Sequence, residues 1–240
     1  MPVTDTSTAA ATAVPAAGAA RTGLFIALEG GDGAGRSTQV RLLLPWLEEQ
    51  GWATVHVGLG RSALVQRAFR AHRRTLEAGP QTLALLYAAD LHDQAAGAVR
   101  TALASGFVVV ADRWTATACT RCQVRGVDPA WLEGIMPTAP QPDLTVFLEV
   151  DVRQRLARTI QKRGIPDFRE SGRDLGLDAD PLRAFVRYQT LLDRQYARLA
   201  SAQPAPWLPC PGDGPPALVQ DAIRRVLLPL MGREGAMRHA

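Results

Sequence analysis

A glycine-rich segment lies between a predicted buried strand and a predicted helix near the start of this chain. Residues 24–28 are apolar or small, which is typical of a short buried strand. Four glycines follow within six positions, and residues 37–50 carry a helical pattern. Glycines let backbone amides approach an anion, and a helix N-terminus adds partial positive charge. The arrangement of strand, glycine loop and helix predicts a phosphate-binding loop.

The loop agrees with the pattern G-x-x-x-x-G-K-[ST] at every position except one. Arg36 stands where the pattern has lysine, and Lys162 is the only lysine among 27 basic residues. Two interpretations stay open: this lysine-poor chain tolerates an arginine there, or catalysis is weakened and only nucleotide binding remains. We favour retained activity. The predicted donor-binding residues are Gly30, Gly31, Asp32, Gly33, Ala34, Gly35, Arg36, Ser37 and Thr38.

Strands and helices alternate along the chain, which implies a parallel sheet with helices on both faces. Strands are predicted at residues 24–28, 53–57, 107–111, 143–150 and 207–208. Helices are predicted at residues 37–50, 63–74, 81–104, 129–136, 152–163, 181–200 and 217–230. Between two of these helices, residues 164–180 are polar and glycine-containing, which is typical of a mobile loop.

We expect one domain over residues 23–232. The Ala-, Thr- and Pro-rich residues 1–22 are expected to be a disordered tail, and residues 233–240 a flexible one. The net charge of +4 is spread over many arginines, and an enzyme for anionic phosphates explains it as well as nucleic-acid binding does. We therefore expect no nucleic-acid partner. No run of about 18 apolar residues occurs, so we expect no membrane span.

The three cysteines do not predict a metal or redox site. Cys119 and Cys122 form a C-x-x-C pair, but no second pair or nearby histidine completes a zinc site. Together with Cys210 they are best interpreted as reduced thiols of a cytoplasmic protein.

Six segments occur together in a recognisable order: ALEGGDGAGRSTQ (27–39), YAAD (87–90), VVVADRW (108–114), RGVD (125–128), PDLTVFLEVD (142–151) and KRG (162–164). With them the chain resembles the thymidylate kinase family of P-loop nucleoside monophosphate kinases, over roughly residues 23–230. The resemblance implies a three-layer P-loop fold with a five-stranded parallel sheet and a lid loop. It also implies phosphoryl transfer from ATP with Mg²⁺ to a pyrimidine deoxynucleotide, and a homodimer.

The resemblance further implies roles for single residues. Ser37 and Asp112 would hold Mg²⁺, Asp32 would contact the acceptor sugar, Arg113 would grip the acceptor phosphate, and Tyr87 would stack on the acceptor base. The arginine fork suits a phosphate because it donates two parallel hydrogen bonds.

Charge on the transferred group would be neutralised from the lid, by Arg163 or by its neighbours Arg169 and Arg173. The predicted catalytic residues are accordingly Arg36, Asp112, Arg113, Arg163 and Arg169.

The chain departs from the family where the acceptor would bind. Residues 57–61 read Val-Gly-Leu-Gly-Arg in place of an Arg-Glu-Pro-Gly-Gly type signature, and Leu91 replaces an arginine that reads the thymine edge. Ala118 and Arg121 occupy a polar and a tyrosine position. We predict a dTMP kinase, which converts dTMP and ATP to dTDP and ADP. A kinase for a different or modified nucleotide and a nucleotide-binding protein without activity remain the alternatives.

Overall fold

The computed structural model describes residues 23–75, 79–136, 139–202 and 206–237. The predicted disordered tail of residues 1–22 lies outside the described residues, as do residues 238–240. The last helix ends at Met237, so it continues past residue 232, where we expect the domain to end.

Five parallel strands form one sheet in the order β2-β3-β1-β4-β5. The strands are β1 (Phe25–Glu29), β2 (Thr54–Gly58), β3 (Val108–Asp112), β4 (Leu144–Glu149) and β5 (Trp207–Pro211). This confirms the predicted five-stranded parallel sheet. β1 lies at the centre of the sheet, with β3 on one side of it and β4 on the other. The direction in which successive strands are added therefore changes at β1. In open α/β sheets, ligands bind at the carboxyl ends of strands around such a switch point.

Helices cover both faces of the sheet. They are α1 (Arg36–Glu49), α2 (Ala63–Thr75), α3 (Pro80–Gln94), α4 (Arg100–Ala104), α5 (Thr115–Gln123), α6 (Pro129–Ile135), α7 (Val152–Arg163), α8 (Pro181–Ala202) and α9 (Pro216–Met237). One turn of π-helix, Ala95–Val99, joins α3 to α4, so the helix predicted at residues 81–104 is continuous but locally wider. A short 3₁₀ helix, Arg173–Leu175, lies in the predicted lid.

Helix α5 is the one helix of the described chain that the sequence pattern does not predict. Its sequence, TATACTRCQ, contains three threonines and no stripe of large apolar residues. Threonine has a low helix propensity because its branched side chain loses rotamer freedom in a helix. Tertiary contacts with α3 and α8 offset this weak propensity, and they place α5 directly after the end of β3.

The central strand β1 is buried along its whole length. Phe25 and Ala27 pack into the core on the α3 and α5 side, whereas Ile26 and Leu28 pack into the core on the α1 and α9 side. Alternate side chains of a strand point to opposite faces, so one apolar strand anchors both layers. The glycine loop therefore follows a strand that is buried along its whole length at the centre of the sheet.

None of the helices in the described ranges is both long enough and apolar enough to cross a lipid bilayer.

Candidate active site

The glycine loop turns from the end of β1 into α1. Gly33 and Gly35 have φ values of 82° and 97°, which side-chain-bearing residues rarely adopt. Gly35 is the residue before the first turn of α1, and no described side chain caps that turn. The first amides of a helix have no partner within the helix, so this uncapped end is suited to an anion.

The Arg36 side chain packs against the carbonyl groups of the glycine loop. Its Nη1 donates to the carbonyl oxygen of Gly30 at 2.6 Å and to that of Gly31, and its Nε donates to Asp112 Oδ1 at 3.2 Å. The side chain is buried, with 8% of the residue exposed. One guanidinium thus joins the loop to the end of β3, a connection that needs several donors in a fixed fork.

Ser37 and Asp112 lie next to each other at the mouth of the loop. The Ser37 hydroxyl donates to Asp112 Oδ2 at 2.7 Å. Burial would raise the pKa of Asp112, but the charge of Arg36 and the hydrogen bond from Ser37 hold that pKa below its usual value. A hydroxyl beside an ionised carboxylate is an oxygen pair of the kind that Mg²⁺ accepts, because Mg²⁺ keeps waters and phosphate oxygens as its other ligands.

Asp32, in the middle of the loop, is buried and surrounded by donors. Arg113 Nη2 lies 2.6 Å from Asp32 Oδ1, and Arg121 Nη2 lies 3.2 Å from each oxygen. Gln189 Nε2 donates to Oδ2 at 3.1 Å. Burial alone would raise the pKa of Asp32, but Arg113 and Arg121 hold it far below its usual value. The carboxylate is therefore held in its ionised form, and each of its oxygens has two protein donors within 3.2 Å.

Arg113 has an unusual backbone. Its φ of 71° makes it the one non-glycine residue with positive φ in the described part of the chain. Hydrogen bonds hold it on both sides: Arg113 N donates to Leu28 O at 3.1 Å, Leu59 N donates to Arg113 O at 3.1 Å, and Trp114 N donates to Glu29 Oε1 at 2.8 Å. Such conformations cost free energy and occur mainly at functional sites. Here the turn directs Arg113 toward the loop.

A cavity of about 450 Å³ opens above these groups. Tyr87 forms part of its wall and packs against Phe69, with the ring centroids 5.5 Å apart. Asp32, Asp112, Asp167 and Glu170 are the four acids of the lining. The eight cations of the lining are Arg36, Arg61, Arg113, Arg121, Arg125, Lys162, Arg163 and Arg169. The excess of positive charge over one concave surface favours a ligand with several phosphates.

The three arginines predicted for the lid have different surroundings. Arg163 pairs with Glu170 at 2.6 Å, and 48% of its side chain is exposed. Arg169 lines the cavity, and its buried Nε has no hydrogen-bond partner among the described residues. Burial lowers the pKa of Arg169, and the neighbouring charge of Arg125 lowers it further. Arg173 lies against the Phe168 ring, 5.4 Å from its centroid.

Residues 28–175 match the sequence model of a family described as thymidylate kinase. The chain belongs to the thymidylate kinase family. A thymidylate kinase of Clavibacter sepedonicus is 43% identical over 150 residues, which cover 58% of this chain and 71% of that protein. A probable thymidylate kinase of Pyrococcus abyssi is 33% identical over 156 residues, covering 61% and 74% of the two chains. A probable thymidylate kinase 2 of Saccharolobus solfataricus is 30% identical over 211 residues, covering 85% and 95%.

Two different environments surround the positions at which the chain departs from the thymidylate kinase pattern. Leu91 and Ala118 are buried in the apolar core between the sheet and α3. Arg61 and Arg121, in contrast, line the cavity. The loop that carries Arg61 is held by Asp90, which accepts from Gly60 N at 2.6 Å and Ser62 N at 2.8 Å. Each of these two departing segments therefore contributes one guanidinium group to the cavity.

Several side chains of the site are not apparent from the sequence. Gln189 on α8 contacts Asp32, and Arg155 on α7 contacts Gln189. Thr117 accepts from Arg113 Nη1 at 3.1 Å, and Glu29 anchors the turn after β3. Gln189, Arg155 and Thr117 lie outside the motif segments, and Gln189 also lies beyond the residues that match the thymidylate kinase model. Only the buried position of a polar residue on an otherwise apolar helix face would have indicated Gln189.

Proposed function

We propose that this protein is a dTMP kinase, which transfers the γ-phosphoryl group of ATP to dTMP and releases dTDP and ADP. One observation carries the proposal: the phosphate-binding loop and Arg113 face the same cavity, joined by the 2.6 Å contact between Arg113 Nη2 and Asp32 Oδ1. A site for a donor phosphate chain and a group suited to a phosphate monoester thus lie side by side. Family membership and the names of the relatives support dTMP as the acceptor.

The donor end consists of the loop and the start of α1. Backbone amides of residues 30–38 surround the phosphates, and the helix N-terminus favours their negative charge. Ser37 and Asp112, 2.7 Å apart, would hold Mg²⁺. An Mg²⁺ ion held there would offset the negative charge of the donor phosphates. Arg36 keeps the loop attached to the end of β3 while these groups are in place.

The acceptor end is formed by Arg113, Asp32 and Tyr87. Arg113 binds the acceptor phosphate through its planar fork, and its position is fixed before the acceptor arrives by Asp32 and the strained turn. Tyr87 provides a flat surface for the base. Asp32 is close enough to the acceptor phosphate site to contact the sugar, provided that one of its present donors moves aside.

The lid supplies the remaining charge. Arg169 has no salt bridge among the described residues and lines the cavity, so its guanidinium is available to the transferred group. Arg163 is held by Glu170 and must exchange that partner for a phosphate to act in the same way. Closing residues 164–180 over the cavity would also exclude water from the phosphoryl group.

We further propose that the protein is a cytoplasmic homodimer that binds nucleotides and no nucleic acid, as its family resemblance implies. Exposed apolar side chains on neighbouring helices support a self-association surface, namely Leu64 on α2, Leu85 on α3 and Trp131 on α6.

A coupled assay of ADP release across deoxynucleoside and ribonucleoside monophosphates tests the proposal. We expect the highest kcat/KM with dTMP. A Ser37→Ala preparation, purified identically, controls for contaminating kinases because it lacks the proposed Mg²⁺ ligand. Turnover with a different acceptor alone would identify that acceptor, and not dTMP, as the substrate. Binding of Mg-ATP in calorimetry without turnover of any acceptor would mean that the protein binds nucleotides and does not transfer phosphoryl groups.

Replacing Arg36 by lysine separates the two interpretations of this position. We expect Arg36→Lys to lower kcat by roughly tenfold, since an ammonium lacks the fork through which Arg36 Nε contacts Asp112 while its Nη1 contacts the carbonyl of Gly30. Steady-state kinetics with saturating ATP and dTMP measure the effect. An unchanged or higher kcat would mean that arginine is merely tolerated at this position.

A further inference from the structure

Gln189 makes two hydrogen bonds to the loop aspartate. Its Oε1 accepts from the backbone N of Asp32 at 3.0 Å, and its Nε2 donates to Asp32 Oδ2 at 3.1 Å. Gln189 is fully buried on α8 and lies 157 residues along the chain from Asp32. A single side-chain amide thus holds both the main chain and the carboxylate of the residue between the two phosphate sites.

Arg155 determines which way this amide points. Its Nη1 donates to Gln189 Oε1 at 3.0 Å, while its Nη2 donates to Asp193. A guanidinium only donates hydrogen bonds, so the atom of Gln189 that it contacts has to be the oxygen. The NH₂ group of Gln189 is then the only part of the amide left to face the Asp32 carboxylate. With the amide reversed, the Gln189 oxygen would face Asp32 Oδ2, and its NH₂ group would face two other donors, Arg155 Nη1 and Asp32 N.

The two residues come from the helices on either side of the lid. Arg155 belongs to α7, which ends at Arg163, and Gln189 belongs to α8, which begins at Pro181. Asp32 is therefore held by the elements that carry residues 164–180. No residue of the loop itself provides an equivalent donor to Asp32 Oδ2 in the described structure.

We propose that Gln189 is a positioning residue for the reaction, which holds the Asp32 carboxylate oriented toward the acceptor, with Arg155 fixing the direction of its amide. This assignment rests on the proposed function for its kinetic consequences, whereas the contact itself can be tested without substrate. Gln189 acts on the acceptor through Asp32 and does not contact it.

The substitution Gln189→Glu changes the interaction with the least change of shape. It places a carboxylate oxygen where the NH₂ group now faces Asp32. Two carboxylates at this distance share a proton, so the pair takes up a proton at a higher pH than Asp32 does alone. The other charges that face Asp32 remain in place: Arg36 at the start of α1, Arg113 at the end of β3, Arg121 on α5 and Glu170 in the lid.

The first test is a titration of the protein without nucleotides. In protein labelled with ¹³C at the aspartate and glutamate carboxyl groups, the Asp32 signal is assigned by its loss in Asp32→Asn. Wild-type Asp32 should stay ionised over the pH range in which the protein is folded. In Gln189→Glu we expect the pair of carboxylates to take up one proton at a higher pH, which raises the midpoint of the Asp32 signal or of the signal of its new partner. Gln195→Glu adds the same charge to the same helix at a partly exposed position and should leave the Asp32 signal unchanged. If neither carboxylate of the pair shows a raised midpoint in a folded Gln189→Glu protein, the proposal is overturned.

The second test uses kinetics and a neutral variant. Gln189→Met keeps the length of the side chain and removes both hydrogen bonds. We expect the KM for the acceptor to rise about tenfold, the loss expected for one hydrogen bond to a charged group, while the KM for ATP changes less than about twofold. In Gln189→Glu, the acidic limb of kcat/KM should move in the same direction as the Asp32 midpoint.

These results distinguish a failed positioning role from a failed function. Equal rises of the KM for the acceptor and the KM for ATP in Gln189→Met would indicate general damage to the loop and overturn the proposal. This test remains decisive even when Gln189→Glu does not fold. A raised midpoint in Gln189→Glu would support the contact between Gln189 and Asp32 even if the wild-type protein phosphorylated no nucleotide. That absence of activity would by itself refute the dTMP kinase assignment.

Discussion

Replacing Arg113 by methionine is expected to lower kcat/KM for dTMP by about a thousand-fold, the lower end of what a phosphate-binding arginine contributes in phosphoryl transfer. Methionine fills much of the same space and removes the three contacts of the guanidinium: Asp32 at 2.6 Å, and Gly30 O and Thr117 Oγ1, each at 3.1 Å. The acceptor phosphate then loses the arginine that we propose to bind it, and Asp32 loses one of its three donors. Steady-state kinetics with varied dTMP at saturating ATP measure the loss.

Two further variants show what the loss of activity means. Arg113→Lys keeps the charge without the fork, and an intermediate activity would separate charge from geometry. Arg198→Met changes the same residue type at an exposed position of α8 and should retain full activity. The circular dichroism spectrum of each variant confirms that it is folded. If Arg113→Met retained more than about a tenth of the wild-type kcat/KM, Arg113 would not hold the acceptor phosphate.

The donor half of the site is predictable because its signals are local. Glycine spacing in residues 30–35 and the apolar pattern of β1 lie within one short segment, and the geometry they predict needs no distant partner. The same is true of Asp112 and Arg113, which directly end a strand of apolar residues. Parallel strands bring their carboxyl ends to one edge of the sheet, so separate strand ends converge without any direct sequence signal.

The support around Asp32 is not predictable in this way. Gln189 and Arg155 are distant in the sequence from the loop, and their contacts depend on how α7 and α8 pack against it. Helix α5, which carries Thr117 and Arg121, has a composition that disfavours a helix and forms through packing. Local propensity and motif spacing describe the groups that we propose to contact substrate. They do not describe the buried polar groups that hold those residues in position.

At Arg36 the motif predicts the position of a basic residue but not the contacts that its side chain makes. In the pattern, lysine at this position reaches toward the phosphates. Here the guanidinium points back to the loop carbonyls and to Asp112. The positive charge remains beside the loop, because the side chain is buried and contacts it directly. Arg61, Arg121 and Arg169 then add cationic groups to the same cavity.

Replacing Gly31 by alanine is expected to have the largest effect on folding. A Cβ at Gly31 would lie 1.4 Å from Arg155 Nη1 and 2.6 Å from Gln189 Oε1. The φ of Gly31 is not in the left-handed region, so alanine fits the backbone and the clash alone is responsible. We expect the free energy of unfolding to fall by about 3 kcal/mol, the upper range for overpacking a buried site. Urea unfolding at constant m-value measures this change.

Gly134→Ala is the matched control, since a Cβ there meets no atom within 4 Å and the residue lies in helix α6. Alanine should stabilise this helix by about 0.5–1 kcal/mol relative to glycine. If Gly31→Ala were as stable as Gly134→Ala, Arg155 and Gln189 would not pack against the loop as described. Adding Arg155→Ala to Gly31→Ala removes the closer clash and should restore part of the stability. It should not restore activity, because the orientation of Gln189 is then no longer fixed.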